Sequence, residues 1–229
     1  RGACPSANDV DVDVSGNGIV AGEFGGSLDL GSGPLGTLQS VGSGDGFVAV
    51  YGPSGTPLAP WRFGGEGYDT GLKIATDPEG GLALVSSVGA QGTTGPRRIE
   101  KYSAARELVW RQTLDGATAE IYGVLVDRLG DVVVAGYFSG SLDFGTRTLV
   151  SDAASIDAFV AKYRGRDGSL LWVRTLHGPF LDGAVGVASD PHCGIVVTGG
   201  FTGPTARLDD MTLEGSAGVG NVFVARLRP

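Results

Sequence analysis

Methionine, histidine, lysine and cysteine are all scarce in this chain, and charge is thin. Its 229 residues include one Met, two His, two Cys and, of all residues, 18% charged, with 17 basic against 25 acidic side chains and a formal net charge of −8. Two His and two Cys leave little for a transition-metal centre, and the adjacent His192 and Cys193 lack zinc-ligand spacing. The acidic balance argues against nucleic acid, which is bound through clustered Lys and Arg that neutralise phosphate, and against an anionic membrane surface. No apolar run approaches the ~18–20 residues that a membrane-spanning helix needs. There is no Gly-x-Ser-x-Gly elbow, no P-loop and no His-Glu-x-x-His. Both His177 and His192 fall at loop positions that other repeats fill with unrelated residues, so they read as idle and exposed. The chain begins at Arg1 and its one methionine is Met211, so processing is expected, with loss of an export signal the simplest form.

What is abundant is glycine, 41 residues of 229. Disorder does not fit, because 41% of the chain is hydrophobic. Collagen needs Gly at every third position, which is absent, and long helices do not survive so much glycine at ~1 kcal/mol each. An all-β protein with many tight turns remains. At this length it buries roughly 70% of its extended-chain surface and has a core without staples.

The sequence repeats itself four times. Asp13-Val-Ser-Gly, Asp77-Pro-Glu-Gly, Asp127-Arg-Leu-Gly and Asp190-Pro-His-Cys each precede an aliphatic run, and the Asp anchors stand 64, 50 and 63 residues apart. A second motif follows each: Phe47-Val-Ala-Val-Tyr51, Ile99-Glu-Lys-Tyr102, Phe159-Val-Ala-Lys-Tyr163 and Phe223-Val-Ala-Arg-Leu227. Trp61, Trp110 and Trp172 come a little later in the first three. Each repeat reads as a short strand, an Asp-x-x-Gly turn in which Asp bonds backbone N–H and Gly takes positive φ, a second strand, a long loop, the Phe-Val-Ala-x-Tyr strand, and a fourth strand carrying the Trp. Tandem four-stranded antiparallel units are the pattern of β-propeller blades, with the repeated aromatics filling the space between neighbours. The expected fold is one domain over 1–229: four blades of four antiparallel strands, over about 8–67, 68–120, 121–181 and 182–229, the last incomplete.

The runs Gly136-Tyr-Phe-Ser-Gly-Ser-Leu-Asp-Phe-Gly145, Asp157-Ala-Phe-Val-Ala-Lys-Tyr163 and Gly168-Ser-Leu-Leu-Trp172 resemble the bacterial β-propeller repeat of secreted and surface proteins. The first repeat echoes them with Gly22-Glu-Phe-Gly-Gly-Ser-Leu-Asp-Leu-Gly31. The resemblance implies export and a binding or scaffolding role, and carries no catalytic residues onto this chain.

Departures from the repeat mark the candidate sites. The second repeat lacks the Gly-Ser-Leu-Asp stretch, so its connection from Val88 to Arg98 is short. The fourth stops after its third strand, which leaves Val222, Phe223, Val224, Ala225 and Arg226 as an open edge able to pair with another chain; the plainer reading is an absent outer strand kept soluble by Arg226 and Arg228. Arg1 to Asn8 reads as the loop before the first strand. Cys193 replaces the turn Gly of the other repeats, at about 1 kcal/mol if φ is positive. A disulfide to Cys4 would tie the first repeat to the last and stabilise by roughly 4–5 kcal/mol in the entropic account; a bond between chains, two free thiols and a lipid on Cys4 stay open. Asp13, Asp77, Asp127 and Asp190 either serve their own turns or ring one mouth and hold a hard cation such as Ca²⁺. Asp9, Asp11 and Asp13 form an acidic strand face that reads as solvated or channel-lining.

The function expected is a non-enzymatic extracellular or bacterial-surface module. Its loops Gly25–Gly44, Ser139–Ile156 and Thr202–Gly220 would meet a protein or glycan, with only Phe144 as a prominent aromatic. The alternative is a structural subunit that self-associates through the open edge into an oligomer or filament. A hydrolase or lyase using channel carboxylates is the third reading.

Overall fold

A computed structural model describes residues 4–31, 36–58, 60–89, 95–114, 118–152, 155–178, 180–190 and 194–227. The protein is all-β: every regular element among the described residues is a strand, and the sheets are antiparallel. Two compact units, Arg1–Thr113 and Leu114–Pro229, divide the chain between the second and third repeats.

Unit 1 holds two four-stranded sheets. The first runs β1 (Ser6–Val12), β2 (Gly18–Phe24), β5 (Asp45–Tyr51), β6 (Trp61–Phe63), with a hairpin of β3 (Ser27–Asp29) and β4 (Thr37–Gln39) inserted between β2 and β5. The second runs β7 (Asp69–Thr76), β8 (Leu82–Val88), β9 (Arg97–Tyr102), β10 (Leu108–Leu114). Unit 2 repeats the plan: β11 (Thr118–Val126), β12 (Val132–Ser139), β15 (Asp157–Tyr163) and β16 (Leu170–His177), with the hairpin β13 (Ser141–Asp143) and β14 (Thr148–Val150). Its second sheet has three strands, β17 (Asp182–Ser189), β18 (Ile195–Thr202) and β21 (Gly220–Leu227), and the hairpin β19 (Thr205–Leu208) and β20 (Met211–Glu214) pairs instead with the end of β16.

Within each unit the second sheet lies on the face of the first, β7 against β1, β2 and β5, and β17 against β11, β12 and β15. The apolar alternation of the strands makes the core there. Ile19, Val48 and Val50 meet Ile74, Leu82, Leu84 and Tyr102 in unit 1, with Trp61 against them. Val133, Val160 and Leu176 meet Ile195, Val197 and Phe223 in unit 2, with Trp172 against them. The Trp61 and Tyr102 rings lie 6.0 Å apart, so these aromatics fill the space between sheets.

Three local rules explain the repetition. The Asp-x-x-Gly turn is the first: Asp13, Asp77, Asp127 and Asp190 each donate their N–H to the carbonyl four residues on, at 2.8–3.0 Å. Gly16, Gly80 and Gly130 take φ of +78°, +86° and +78° there, a conformation that favours glycine. The second rule pairs a glycine with a phenylalanine across the ladder: Gly22 with Phe47, Gly136 with Phe159 and Gly199 with Phe223. A Cβ on Gly136 would sit 1.9 Å from the Glu120 carbonyl oxygen, and one on Gly199 would sit 2.0 Å from that of Gly183. Repeat two breaks both halves together, pairing Ser86 with Arg98. The third rule is a β-bulge in every first strand, which leaves Asn8, Leu72, Tyr122 and Val185 as the extra residue.

Several expectations are corrected. Strand β1 begins at Ser6, so Ser6 and Ala7 are ladder rather than loop and Asn8 is the bulge within the strand. The long second-to-third connections carry hairpins, because Ser27-Leu28-Asp29 and Thr37-Leu38-Gln39, and their counterparts, alternate over three residues and pair. Phe144 is buried and packs on Phe159 at 5.6 Å, so it offers no platform. Asp9 and Asp11 are not a solvated face: Asp9 Oδ2 accepts the Ile74 N–H at 3.0 Å and Asp11 Oδ2 the Thr76 N–H at 2.7 Å, lashing β1 to β7.

Candidate functional site

The four turn aspartates are satisfied singly rather than together, and Asp13 also has the Arg106 guanidinium of the second repeat at 4.0 Å. Asp13, Asp77 and Asp127 each accept the N–H two residues on at 2.6–2.9 Å. A cation then arrives from the variable position of the Phe-Val-Ala-x-Tyr strand. Lys101 meets Asp77; Lys162 lies 2.8 Å from Asp127 and 3.2 Å from Asp131; Arg226 lies 2.5 Å from Asp190. In repeat one that position is Val50, and the Asn17 amide donates to Asp13 at 2.8 Å instead. Burial alone would raise the Asp13 carboxyl, but the Asn17 and Ser15 donors hold it below its usual range. Burial alone would lower Lys162, and its two carboxylates outweigh that and raise it. Among the described residues no three His, Cys, Asp or Glu side chains gather as a metal-ligand group.

A different aspartate has no such completion. Asp182 opens β17, is 2% exposed, and lines an open cavity of about 450 Å³ in unit 2 with Tyr122, Tyr137, Leu181, Phe201 and Asn221. The bulge places Tyr122 beside Tyr137, ring centroids 5.5 Å apart and hydroxyls at 3.4 Å. Asn221 is held by the Ser216 N–H at 2.9 Å and by its own donation to the Gly203 carbonyl at 3.0 Å. The Asp182 N–H donates to the Ile156 carbonyl at 2.7 Å, and Oδ2 accepts the Gly178 N–H. Oδ1 is buried with no hydrogen-bond partner. The nearby Thr202 N–H donates at 3.0 Å to the Leu181 carbonyl. Burial pushes the Asp182 carboxyl up to about 6; the Gly178 N–H opposes this, the Asp157 charge adds to it, and the nearby Thr202 N–H and His177 oppose it more weakly. Burial also raises Asp157, which the Ser155 hydroxyl at 2.8 Å opposes. His177 is half exposed, with Nδ1 3.9 Å from Asp157 Oδ2. The cavity therefore presents two aromatic rings and an apolar wall, while Asp182 Oδ1 itself is closed to solvent.

The counterpart in unit 1 is saturated. Asp69 opens β7 and donates its N–H to the Gly44 carbonyl at 3.0 Å. Its Oδ2 accepts the Gly65 N–H at 2.8 Å and its Oδ1 the Gly89 N–H at 2.9 Å. Asn8 and Glu23 stand in register where unit 2 has Tyr122 and Tyr137. Asn8 Nδ2 donates to Thr70 Oγ1 at 3.1 Å and to the Gly71 carbonyl at 2.9 Å. Tyr68, raised to about 12 by burial, bonds Glu23. A smaller cavity of about 310 Å³ in unit 1 lies by Phe63, Arg98, Glu100 and Arg111, where Arg98 replaces the usual Phe and Arg111 Nε meets Glu100 at 2.6 Å.

The remaining sequence candidates are placed as follows. Cys4 is exposed and free; Cys193 and His192 lie outside the described residues. Strand β21 pairs with β18 along one side, from Thr202↔Gly220 to Ile195↔Leu227, and is the last strand of its sheet. Its Phe223, Ala225 and Leu227 are buried, while Val222 and Val224 are 82% and 72% exposed. Sequence reading missed Asp182, Tyr122 and Tyr137.

Compared with known proteins, the chain matches no family model, and no curated protein matches it either.

Proposed function

We propose that this chain is a non-enzymatic binding module of an exported or surface-displayed bacterial protein, that its four repeats are blades of a β-propeller, and that it holds its partner at the unit 2 cavity. The antiparallel repeats with inserted hairpins support the propeller, and so does the face packing of successive sheets within each unit. One observation carries the binding role: an open cavity of about 450 Å³ sets the paired Tyr122 and Tyr137 rings beside an apolar wall of Leu181 and Phe201. Aromatic rings beside apolar side chains in a concave surface are the usual lining of a small-ligand site. A screen of small fragments against ¹⁵N-labelled protein tests it. Saturable shifts should centre on Tyr122, Tyr137 and Asp182; shifts confined elsewhere refute the site. Limited proteolysis tests the ring, since a stable fragment cut at 114–120 contradicts closure.

A second reading, assembly through β21, has its own support in that strand's place as the last of its sheet among the described residues and in the exposure of Val222 and Val224. Here a neighbour's strand takes the missing fourth position. Concentration-dependent sedimentation that Ala225→Pro abolishes is the expected result, because Pro removes a ladder donor.

A further inference from the structure

The first sheets of the two units end differently. In unit 2 the end of β16 pairs with β19, Leu176 with Leu208 and His177 with Arg207, and Ala206 and Leu208 are buried in the core there. In unit 1 Phe63 holds the register place of Leu176, opposite Gly46 as Leu176 is opposite Ala158. Among the described residues repeat two has no hairpin between β8 and β9, and β6 is the last strand of its sheet. The cavity of about 310 Å³ opens at that place, with Phe63, Gly64 and Gly65 on one side and Arg98, Glu100 and Arg111 on the other. Its lining has changed as a set. Where the other repeats pair Gly with Phe and carry Ala two residues on, repeat two pairs Ser86 with Arg98 and carries Glu100. We infer that the unit 1 cavity binds a monocarboxylate on an apolar stem, with the carboxylate on the Arg98 guanidinium and Arg111 beside it.

The other charges around this cavity are already answered. Glu100 is buried; its Oε1 accepts Arg111 Nε at 2.6 Å and its Oε2 the Ser86 hydroxyl at 3.4 Å. Asp69, next to Gly64, has the Gly65 and Gly89 N–H groups on its two oxygens. Arg98 has no hydrogen bond or ion pair with any described residue, which in a chain of net charge −8 is the exception. Both guanidiniums can be reached, since Arg98 is partly exposed and the Arg111 side chain is 44% exposed. The planar arginine fork matches a carboxylate with two parallel N–H···O bonds, and such charge-assisted bonds are roughly twice as strong as neutral ones. A monoanion suits the site better than phosphate. One unpaired guanidinium offsets one negative charge, and a second charge would stand against the Glu100 and Asp69 carboxylates. Phe63 and Val88 supply apolar surface for methylenes.

The test titrates the ¹⁵N-labelled full chain with n-butyrate, n-butyramide and inorganic phosphate at pH 7.5 and constant ionic strength. Butyrate should shift the Phe63, Gly64, Arg98 and Glu100 amides saturably and bind about tenfold or more tighter than butyramide. Arg98→Gln should erase that preference while leaving the rest of the spectrum in place; a preference that survives it overturns the role of Arg98. If that variant does not fold, Arg98→Lys keeps the charge without the fork and should weaken butyrate several-fold with butyramide unchanged. Butyramide or phosphate binding the cavity as tightly as butyrate overturns the monocarboxylate class. No shift at these amides with any of the three probes overturns the site itself. None of these outcomes bears on the unit 2 cavity, which is read at the Tyr122 and Tyr137 amides.

Discussion

Unit 1 and unit 2 begin their second sheets with the same carboxylate and treat it in opposite ways. Asp69 has N–H donors on both oxygens and a polar network around it; Asp182 keeps one oxygen unmet beside two tyrosines and a cavity. The ladder, the turn and the bulge are common to both, so the difference lies in few residues. Glycine at 89 leaves its N–H to the carboxylate, whereas that of Thr202 goes to Leu181. Asn8 and Glu23 give way to Tyr122 and Tyr137. A shared scaffold thus carries one copy of the carboxylate met on both oxygens and one met on a single oxygen.

The comparison is most severely strained at the buried lysines. Lys162→Met abandons Asp127 and Asp131 and should cost about 3–5 kcal/mol in urea unfolding, while Lys101→Met abandons Asp77 alone and should cost less. Equal losses would mean that the second carboxylate carries no weight. Next, Gly136→Ala drives a Cβ against the Glu120 carbonyl and should destabilise by about 2–3 kcal/mol, whereas Ser86→Ala at the matching place in unit 1 should stay near 1 kcal/mol or below.

The two aspartates should then move in opposite directions. Because the Asp182 carboxyl sits near 6 in the folded chain, above its ordinary value of 3.8, the native state holds more protons between those values, and stability falls as pH rises through that window. Asp182→Asn removes that fall and should raise stability at pH 7 by about 1–2 kcal/mol. Asp69→Asn loses an acceptor for one of two N–H donors and should lower it by about 1 kcal/mol. Melts at pH 4.5 and 7 check both; the same sign for both variants would end the contrast. The smallest effect is expected at the edge: Val222→Thr with Val224→Thr should change stability by under about 0.5 kcal/mol, and any larger loss shows that these side chains are covered in solution.

The strand order was legible because the Asp anchors, the Gly of the turn and the Phe-Val-Ala-x-Tyr strand recur. The ion pairs were legible in principle: the x position reads Lys101, Lys162 and Arg226 where a carboxylate needs a cation, and Val50 where Asn17 serves. The hairpins escaped because three-residue strands show too little alternation to stand out. The cavity escaped for a deeper reason. Tyr122 is the extra residue of a bulge, off the period-two rhythm, and the vacancy at Asp182 depends on where one backbone N–H, that of Thr202, points. Neither leaves a mark in residue order.

The bulges themselves set which positions can change freely. An inserted residue that opposes no partner in the ladder is released from the alternation that fixes every neighbour, so it varies without shifting register. In this chain the four such positions hold an amide, an isobutyl group, a phenol and an isopropyl group, Asn8, Leu72, Tyr122 and Val185. A change of side chain at such a position therefore alters what the sheet presents while leaving the ladder on either side in register.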